Sequence, residues 1–482
     1  MNNNILREFW LNLKHNLPLM KLKIILASAV VLLLAIISCN RDEITFEAPT
    51  QQLKFSQDTL VLDTVYNQVR SETYAVKVYN KENRDIKIPK ISLQGGINSP
   101  YKLNLDGKSG VEFSDVALRK KDSLFIFVEI APIAYAKEAI AEDRINFSTN
   151  QHVTLLSVVQ DAEFYIKTAT NPNIIAQNTT WTSNKAKIIY GELTLAEGKT
   201  LNIEKGTKIY FTKNSGLTMS KNSVLNVTGD LNQEVIFRGD RNDTRYDTIP
   251  VNWNSIKMEE GSLANINYAK IFGGTSGIEM TKSTANISNT FIHTFQNYGI
   301  YAVNSTVNAK NTVMYNCGQA DLGIFKGGTI DLTHCTLANY WNLNTSMPGF
   351  ALYATNEWKN SSGTTENGAL ALNIKNSILY TSRDNAIVFK PTSGQTFNYL
   401  FDSSLLKYGN NAGFNFDGNA MIVNSIKNQD PKFLNYYLAK TNLRVANDSP
   451  AKAKGKLSAA QSLPLDIMKV SRTLNPTIGA YQ

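Results

Sequence analysis

Ala264-Asn265-Ile266-Asn267-Tyr268-Ala269-Lys270-Ile271 is answered by Ala285-Asn286-Ile287-Ser288-Asn289-Thr290-Phe291-Ile292. The phrase returns as Val307-Asn308-Ala309-Lys310-Asn311-Thr312-Val313-Met314 and Ile330-Asp331-Leu332-Thr333-His334-Cys335-Thr336-Leu337. Later copies are Leu372-Asn373-Ile374-Lys375-Asn376-Ser377-Ile378-Leu379 and Asn398-Tyr399-Leu400-Phe401-Asp402-Ser403-Ser404-Leu405. The fifth residues, Tyr268, Asn289, Asn311, His334, Asn376 and Asp402, are 21, 22, 23, 42 and 26 apart. A period in the low twenties with apolar alternation inside each copy signals a stacked β-solenoid. We read the interval of 42 as two periods with one copy blurred.

Each copy is then one coil of a right-handed parallel β-helix. A lone coil cannot bury its inward side chains, and stacking on a neighbour ~4.8 Å away does so. Equivalent positions become ladders. One should be small: Ala269, Thr290, Thr312, Cys335, Ser377 and Ser403. Beside it runs a polar structural ladder of Asn289, Asn311, His334, Asn376 and Asp402. Asn suits it because Asn accepts left-handed backbone and stacked amides bond one another. A third, apolar ladder takes Ile278, Ile300, Leu322 and Ile387.

Working outward, the N-terminus reads as targeting rather than fold. Met20-Lys21-Leu22-Lys23 is followed by an apolar run, Ile24 to Ile37, too short for an ordinary membrane-spanning helix. The run ends Ile36-Ile37-Ser38-Cys39. This resembles the bacterial lipoprotein signal. The resemblance implies that Cys39 carries the lipid and that residues 1–38 are removed; a plain N-terminal anchor is the alternative. Asn40-Arg41-Asp42-Glu43 resembles the short acidic tag of surface-exported Bacteroidetes lipoproteins. It implies an outer-membrane lipoprotein exposed at the cell surface, with a periplasm-facing one as the alternative.

A tether at 39–50 leads to 51–165, where short alternating strands such as Thr73-Tyr74-Ala75-Val76-Lys77-Val78 and Ser123-Leu124-Phe125-Ile126-Phe127-Val128 predict a β-sandwich. Val78-Tyr79-Asn80-Lys81-Glu82-Asn83, with Val128-Glu129-Ile130-Ala131-Pro132, resembles immunoglobulin-like domains of the bacterial ASPM–SPD-2–Hydin type. Residues 166–186 read as a linker, 187–428 as the β-helix and 429–482 as its closing segment. Asp430-Pro431-Lys432-Phe433, Asn447-Asp448-Ser449-Pro450-Ala451 and Ile478-Gly479-Ala480-Tyr481 resemble the ending of parallel β-helix proteins common among Bacteroidetes exports.

The chain carries a formal charge of +9. With no dense Lys/Arg stripe, a dispersed solvated surface is the better reading than nucleic-acid binding. Cys317 and Cys335 occupy different columns, so two buried thiols are expected rather than a disulfide. Four scattered His residues and two such thiols give no metal site and imply no cofactor.

Chemistry is sparse. Asp240, Asp243, Asp247, Glu259 and Glu260 supply carboxylates, and Arg383-Asp384 and His334 are isolated candidates, but the catalytic residues stay unknown. The polygalacturonase-like Asn-Thr-Asp, Asp-Asp and Gly-His-Gly signatures are absent. Aromatic side chains on excursions from the solenoid are better candidates, because rings stack on sugar faces. Trp341, Trp358, Trp253 and Tyr353 are the named glycan contacts; for Trp253 and Trp341 the alternative is packing beneath a loop. The sequence argues for a lipid-anchored surface binding or adhesion protein with polysaccharide or a surface protein as partner. Its competitor is a polysaccharide lyase or glycoside hydrolase.

Overall fold

The computed structural model describes residues 45–482 except 63, 67–70, 72, 133–137, 242–243, 344–345 and 411. Cys39 and the rest of 1–44, including the run read as a targeting signal, lie outside the described residues. The protein is all-β: an immunoglobulin-like sandwich precedes a parallel β-helix. Contacts divide the chain into two compact units.

In the sandwich, one sheet orders the strands Lys54–Phe55, Tyr74–Tyr79, Ser123–Ile130, Tyr101–Leu105 and Lys108–Gly110. The other is built on Thr59–Val61, Gln151–Gln160, Glu138–Phe147, Ile86–Leu93 and Glu112–Leu118. Tyr74–Tyr79 runs antiparallel to Ser123–Ile130, pairing Val76 with Ile126 and Tyr74 with Val128. Alternation sends Val76, Val78, Ile126 and Val128 fully inward and leaves Phe125 and Phe127 exposed. Asn80 clamps a turn: its Nδ2 donates to the carbonyls of Arg84 at 2.8 Å and Arg119 at 3.0 Å. Burial opposes ionisation of Glu82, yet bonds from Arg84, Gln51 and Thr50 outweigh it and hold the carboxyl at about 2. That carboxylate pins Thr50 and Gln51 to the sandwich.

Among the described residues, the coil strands of the solenoid pair in parallel with their counterparts on neighbouring coils. An eleven-stranded sheet forms one face. A seventeen-stranded sheet bends to form two more, which its outward residues distinguish as an aromatic face and an asparagine face. The pairings Ala264↔Ala285, Ala285↔Val307, Val307↔Ile330 and Ile330↔Leu372 reproduce the register read from the repeated phrase.

The register also corrects four expectations. Lys375 pairs with Asp402, so the last phrase slips by one residue. Ser403, at φ 53°, therefore stands in the left-handed column with Tyr268, Asn289, Asn311, His334 and Asn376, and Asp402 does not. The interval between His334 and Asn376 is one enlarged coil, because Ala320–Thr333 pairs directly with Leu370–Lys375. Leu352 fills the apolar ladder between Leu322 and Ile387. Finally, 166–186 is no linker: Ala162–Ile166 and Thr179–Trp181 pair in parallel with Ala186–Tyr190 and Thr200–Glu204, and so form the first coil.

The ladders show what joins the coils. In the small column a hydroxyl accepts from the previous coil and donates within its own. Ser377 Oγ takes the Cys335 N–H at 3.0 Å and donates to the Lys375 carbonyl at 2.8 Å. Cys317 and Cys335 are buried free thiols. On the asparagine face, Asn226, Asn265, Asn286 and Asn308 each donate to the amide one coil earlier at 2.9 Å. The interior is one continuous apolar stack.

The closing segment runs back along the outside of the eleven-stranded sheet as a strap. Phe433, Leu443, Ala451, Ile467 and Ile478 pack over Val313, Ala338, Ile378 and Leu405. Lys456 N–H donates to Asn376 Oδ1 at 2.6 Å, Asn311 Nδ2 to the Leu465 carbonyl at 2.9 Å, and Lys469 pairs with Asp230 at 2.5 Å. Its last residues return to the middle: Gly479 N–H donates to the Asn376 carbonyl at 2.7 Å and Ala480 N–H to Thr336 Oγ1 at 3.0 Å.

His334 is fully buried beneath this strap, with Nδ1 3.2 Å from the Gly479 carbonyl and Nε2 2.9 Å from Asn376 Nδ2. A carbonyl can only accept, so Nδ1 carries the proton and Nε2 accepts. Burial, then the nearby Arg472 charge, lowers its pKa from 6.5 to about 3. His293, stacked between Phe272 and Tyr315 at 4.9 and 4.4 Å, is lowered to about 3 chiefly by burial. Below pH 6.5 the unfolded chain binds protons that the folded chain refuses. Stability contributed by these rings is therefore complete above that pH and lost as pH falls towards 3, by up to roughly 1.4 kcal/mol per pH unit for each ring. His334→Asn, which restores the residue type of the ladder, is expected to cost about 1 kcal/mol at neutral pH and to flatten that acid slope. Urea melts of both proteins across this range would show it; parallel slopes would refute it.

Candidate functional site

The residue following each member of the apolar ladder points outward, by strand alternation. Those residues form one column on successive coils: Lys257, Glu279, Tyr301, Gly323, Tyr353 and Val388. Lys257, Glu279 and Tyr301 stand on adjacent coils. The column passes from charged to aromatic along the axis.

The aromatic part is a ridge of half-buried rings. Tyr298 and Tyr301 lie 5.2 Å apart, Tyr301 and Phe325 4.7 Å, and Phe325 and Tyr353 5.4 Å. Gly323 sits between Tyr301 and Tyr353 because Tyr298 lies across it. A β-carbon there would stand 2.7 Å from the Tyr298 ring. Lys390 places its ammonium 5.7 Å from the centre of the Tyr353 ring. Burial pushes the Tyr298 hydroxyl up to about 12 and raises that of Tyr301, so both phenols stay neutral donors.

Trp358 joins the ridge from an excursion. Glu357–Lys359 pairs antiparallel with Thr365–Asn367, and the indole Nε1 donates to Tyr301 Oη at 2.8 Å. Side-chain amides fasten this hairpin. Asn360 Oδ1 accepts from the N–H of Ser362 at 3.1 Å and of Thr364 at 2.9 Å, and Asn356 Nδ2 donates to the carbonyls of Gly368 and Thr396 at 2.7 and 2.9 Å. Lys326 pairs with Glu366 at its base. A platform fixed this way loses little freedom on binding.

Beside the ridge is a polar groove of about 490 Å³, lined by Thr218, Lys221, Lys257, Met258, Glu259, Glu260, Glu279 and Thr281. Lys282 bonds Glu260 at 3.4 Å. Carbohydrate hydroxyls both donate and accept, so carboxylates and ammonium groups at one wall can serve the same ring.

The four aromatic residues singled out in the sequence separate. Tyr353 and Trp358 stand on the ridge, partly exposed. Trp253 and Trp341, at 1% and 5% exposure, do not present a ring to solvent. Each fills the space beneath an excursion, and Trp253 Nε1 is spent on the Phe272 carbonyl at 2.8 Å. Tyr298, Tyr301, Phe325 and Lys390 were missed. The signal for Tyr301, Phe325 and Lys390 was available one or three residues beyond Ile300, Leu322 and Ile387, had the outward neighbours of the ladder been followed; Tyr298, two residues before Ile300, falls outside that alternation.

The carboxylates of 240–260 do not converge. Asp247, on the excursion, pairs with Arg238 of the strand Val235–Gly239 at 2.8 Å, whereas Glu259 and Glu260 line the polar groove. Asp243 lies outside the described residues. His334 is sealed under the strap, and Arg383 donates through Nη1 to the Met347 carbonyl. A buried acid also appears inside the solenoid. Asp321 Oδ1 accepts from Asn339 Nδ2 at 3.1 Å, and burial raises its carboxyl, like the neighbouring Cys317 thiol, well above the ordinary range. Among the described residues, no group of three metal-ligating side chains is assembled and no helix is long and apolar enough to cross a membrane.

No family model matches this chain, and no curated protein matches it. Among solved structures, the ASH / PapD-like domain of human CEP192 (PapD-like domain 7) is similar at 10% identity, over 25% of this chain and 96% of that one, with a TM-score of 0.15.

Proposed function

We propose that this is a lipid-anchored cell-envelope protein that binds glycan at the aromatic face without transforming it. The observation that carries the reading is the ridge of Tyr298, Tyr301, Phe325, Tyr353 and Trp358. Its rings are neutral, outward and held by a fastened hairpin. Such rings contact the apolar faces of sugars while their hydroxyls bond the edges. Attachment through Cys39 at the outer membrane, facing the cell surface, is the setting we propose for it. Support for that comes from the Ser38-Cys39 junction and the apolar run before it.

The competing reading, a polysaccharide lyase or glycoside hydrolase, draws on the groove that joins Glu259, Glu260 and Glu279 to Lys257. Two carboxylates flanking a bond are what a hydrolase requires. One experiment separates the readings. The full-length protein in detergent is screened on a glycan array, and each hit is incubated and assayed for new reducing or unsaturated ends. We expect binding without new ends, and we expect Tyr301→Ala and Tyr353→Ala each to weaken it about tenfold or more. New ends that vanish in Glu279→Gln would move the protein to the enzyme class.

A further inference from the structure

We infer that the bound glycan is uncharged and lies along the solenoid axis, from Lys257 to Tyr353. The inference rests on the glycan reading above and adds the chemical class and direction of the chain. The direction follows from the column. Lys257, Glu279, Tyr301, Gly323 and Tyr353 stand on five successive coils in strict register. At ~4.8 Å per coil the track spans roughly 19 Å, which suits a few sugar rings laid end to end. A chain crossing it at right angles would meet one or two of these side chains.

The class follows from charge. In the groove Lys221 and Lys257, with Lys282 at its edge, face Glu259, Glu260 and Glu279. Three cations meet three carboxylates, so the groove has no surplus charge to offer. A uronate polymer carries an anion on every unit and would bring one against Glu259 or Glu279, desolvating like charges together. An amino-sugar polymer would meet Lys221 and Lys257 in the same way. A neutral sugar pays neither cost, since its hydroxyls donate to a carboxylate and accept from an ammonium. On the ridge Lys326 is paired with Glu366, and Lys390 adds a single cation over the Tyr353 ring at the far end of the track.

The probes are native amylose, β-1,3-glucan, β-1,4-mannan and β-1,4-galactan, each beside its own form oxidised to the carboxylate at the primary hydroxyl. Affinity for the full-length protein in detergent is measured over about a tenfold range of ionic strength. The expected result is that a native polysaccharide binds and its oxidised partner binds at least about tenfold more weakly, with little salt dependence. Lys257→Gln and Glu279→Gln should each weaken binding about threefold to tenfold while the melting temperature holds. Tighter, salt-sensitive binding of an oxidised form would overturn the uncharged class yet keep the glycan reading. Loss of binding in Tyr301→Ala without any change in Lys257→Gln and Glu279→Gln would overturn the axial track alone. Binding to none of the eight preparations would overturn both.

Discussion

Trp253→Ala is expected to lower the stability of the solenoid by about 3–5 kcal/mol while leaving glycan binding at native affinity in the folded fraction. The indole is 1% exposed, stacks on Phe211 at 4.5 Å and meets the edge of Phe295 at 6.1 Å. Truncation removes both contacts and opens a cavity where the 240–255 excursion leaves the coil. It also strands the Phe272 carbonyl, which accepts from Nε1 at 2.8 Å. The strands on either side are fixed by parallel pairing, so the site has little room to collapse. Equilibrium urea unfolding would report the loss as a lower midpoint at unchanged slope. A change under about 1 kcal/mol, or a selective loss of sugar binding, would return Trp253 to the list of contacts.

Gly479→Val is the second large effect, expected at about 2–5 kcal/mol, and it acts on the strap rather than the core. Gly479 has φ 109°, a conformation that β-branched residues rarely adopt. A β-carbon there would stand 2.9 Å from Ile378 Cδ1 and from Thr336 Oγ1. Relief requires the last residues to lift. That breaks the bonds from Gly479 N–H to the Asn376 carbonyl and from Ala480 N–H to Thr336 Oγ1, and frees Arg472 Nη2 from the Ala480 carbonyl. The predicted signature is faster proteolytic cleavage within 446–482 than in the coils. Equal protection of the strap in variant and wild type would refute the role given to Gly479.

How legible was this in the chain? The repeated phrase located the coils because its alternation is imposed by stacking, and Asn289, Asn311 and Asn376 stand where left-handed backbone demands them. The last copy slipped because Asp402-Ser403-Ser404 offers two small residues in succession, and the phrase accepts either. The enlarged coil was misread because an excursion and a blurred period lengthen the spacing alike; only pairing of Ile330 with Leu372 distinguishes them. The first coil hid in 166–186 because it lacks an Asn in the ladder. The strap was invisible to periodicity altogether, since each of its contacts occurs once. At the site, Tyr353 and Trp358 were readable as excursion aromatics. For Trp253 and Trp341 packing beneath a loop was the alternative, left undecided because a ring under a loop and a ring on it have the same sequence setting.

In a simple solenoid each coil answers only to its neighbours, so the molecule can be completed piecemeal and a shortened chain is merely a shorter rod. Here residues 456–482 reach back to Asp230, Asn311, His334 and Asn376. This segment, made after the coils, secures parts made long before, and a product cut short upstream of it lacks its fastening however well its coils have formed. We expect such products to be open to proteases that spare the finished molecule. The tail would then act as a check on completeness, read out by survival rather than by any separate sensor.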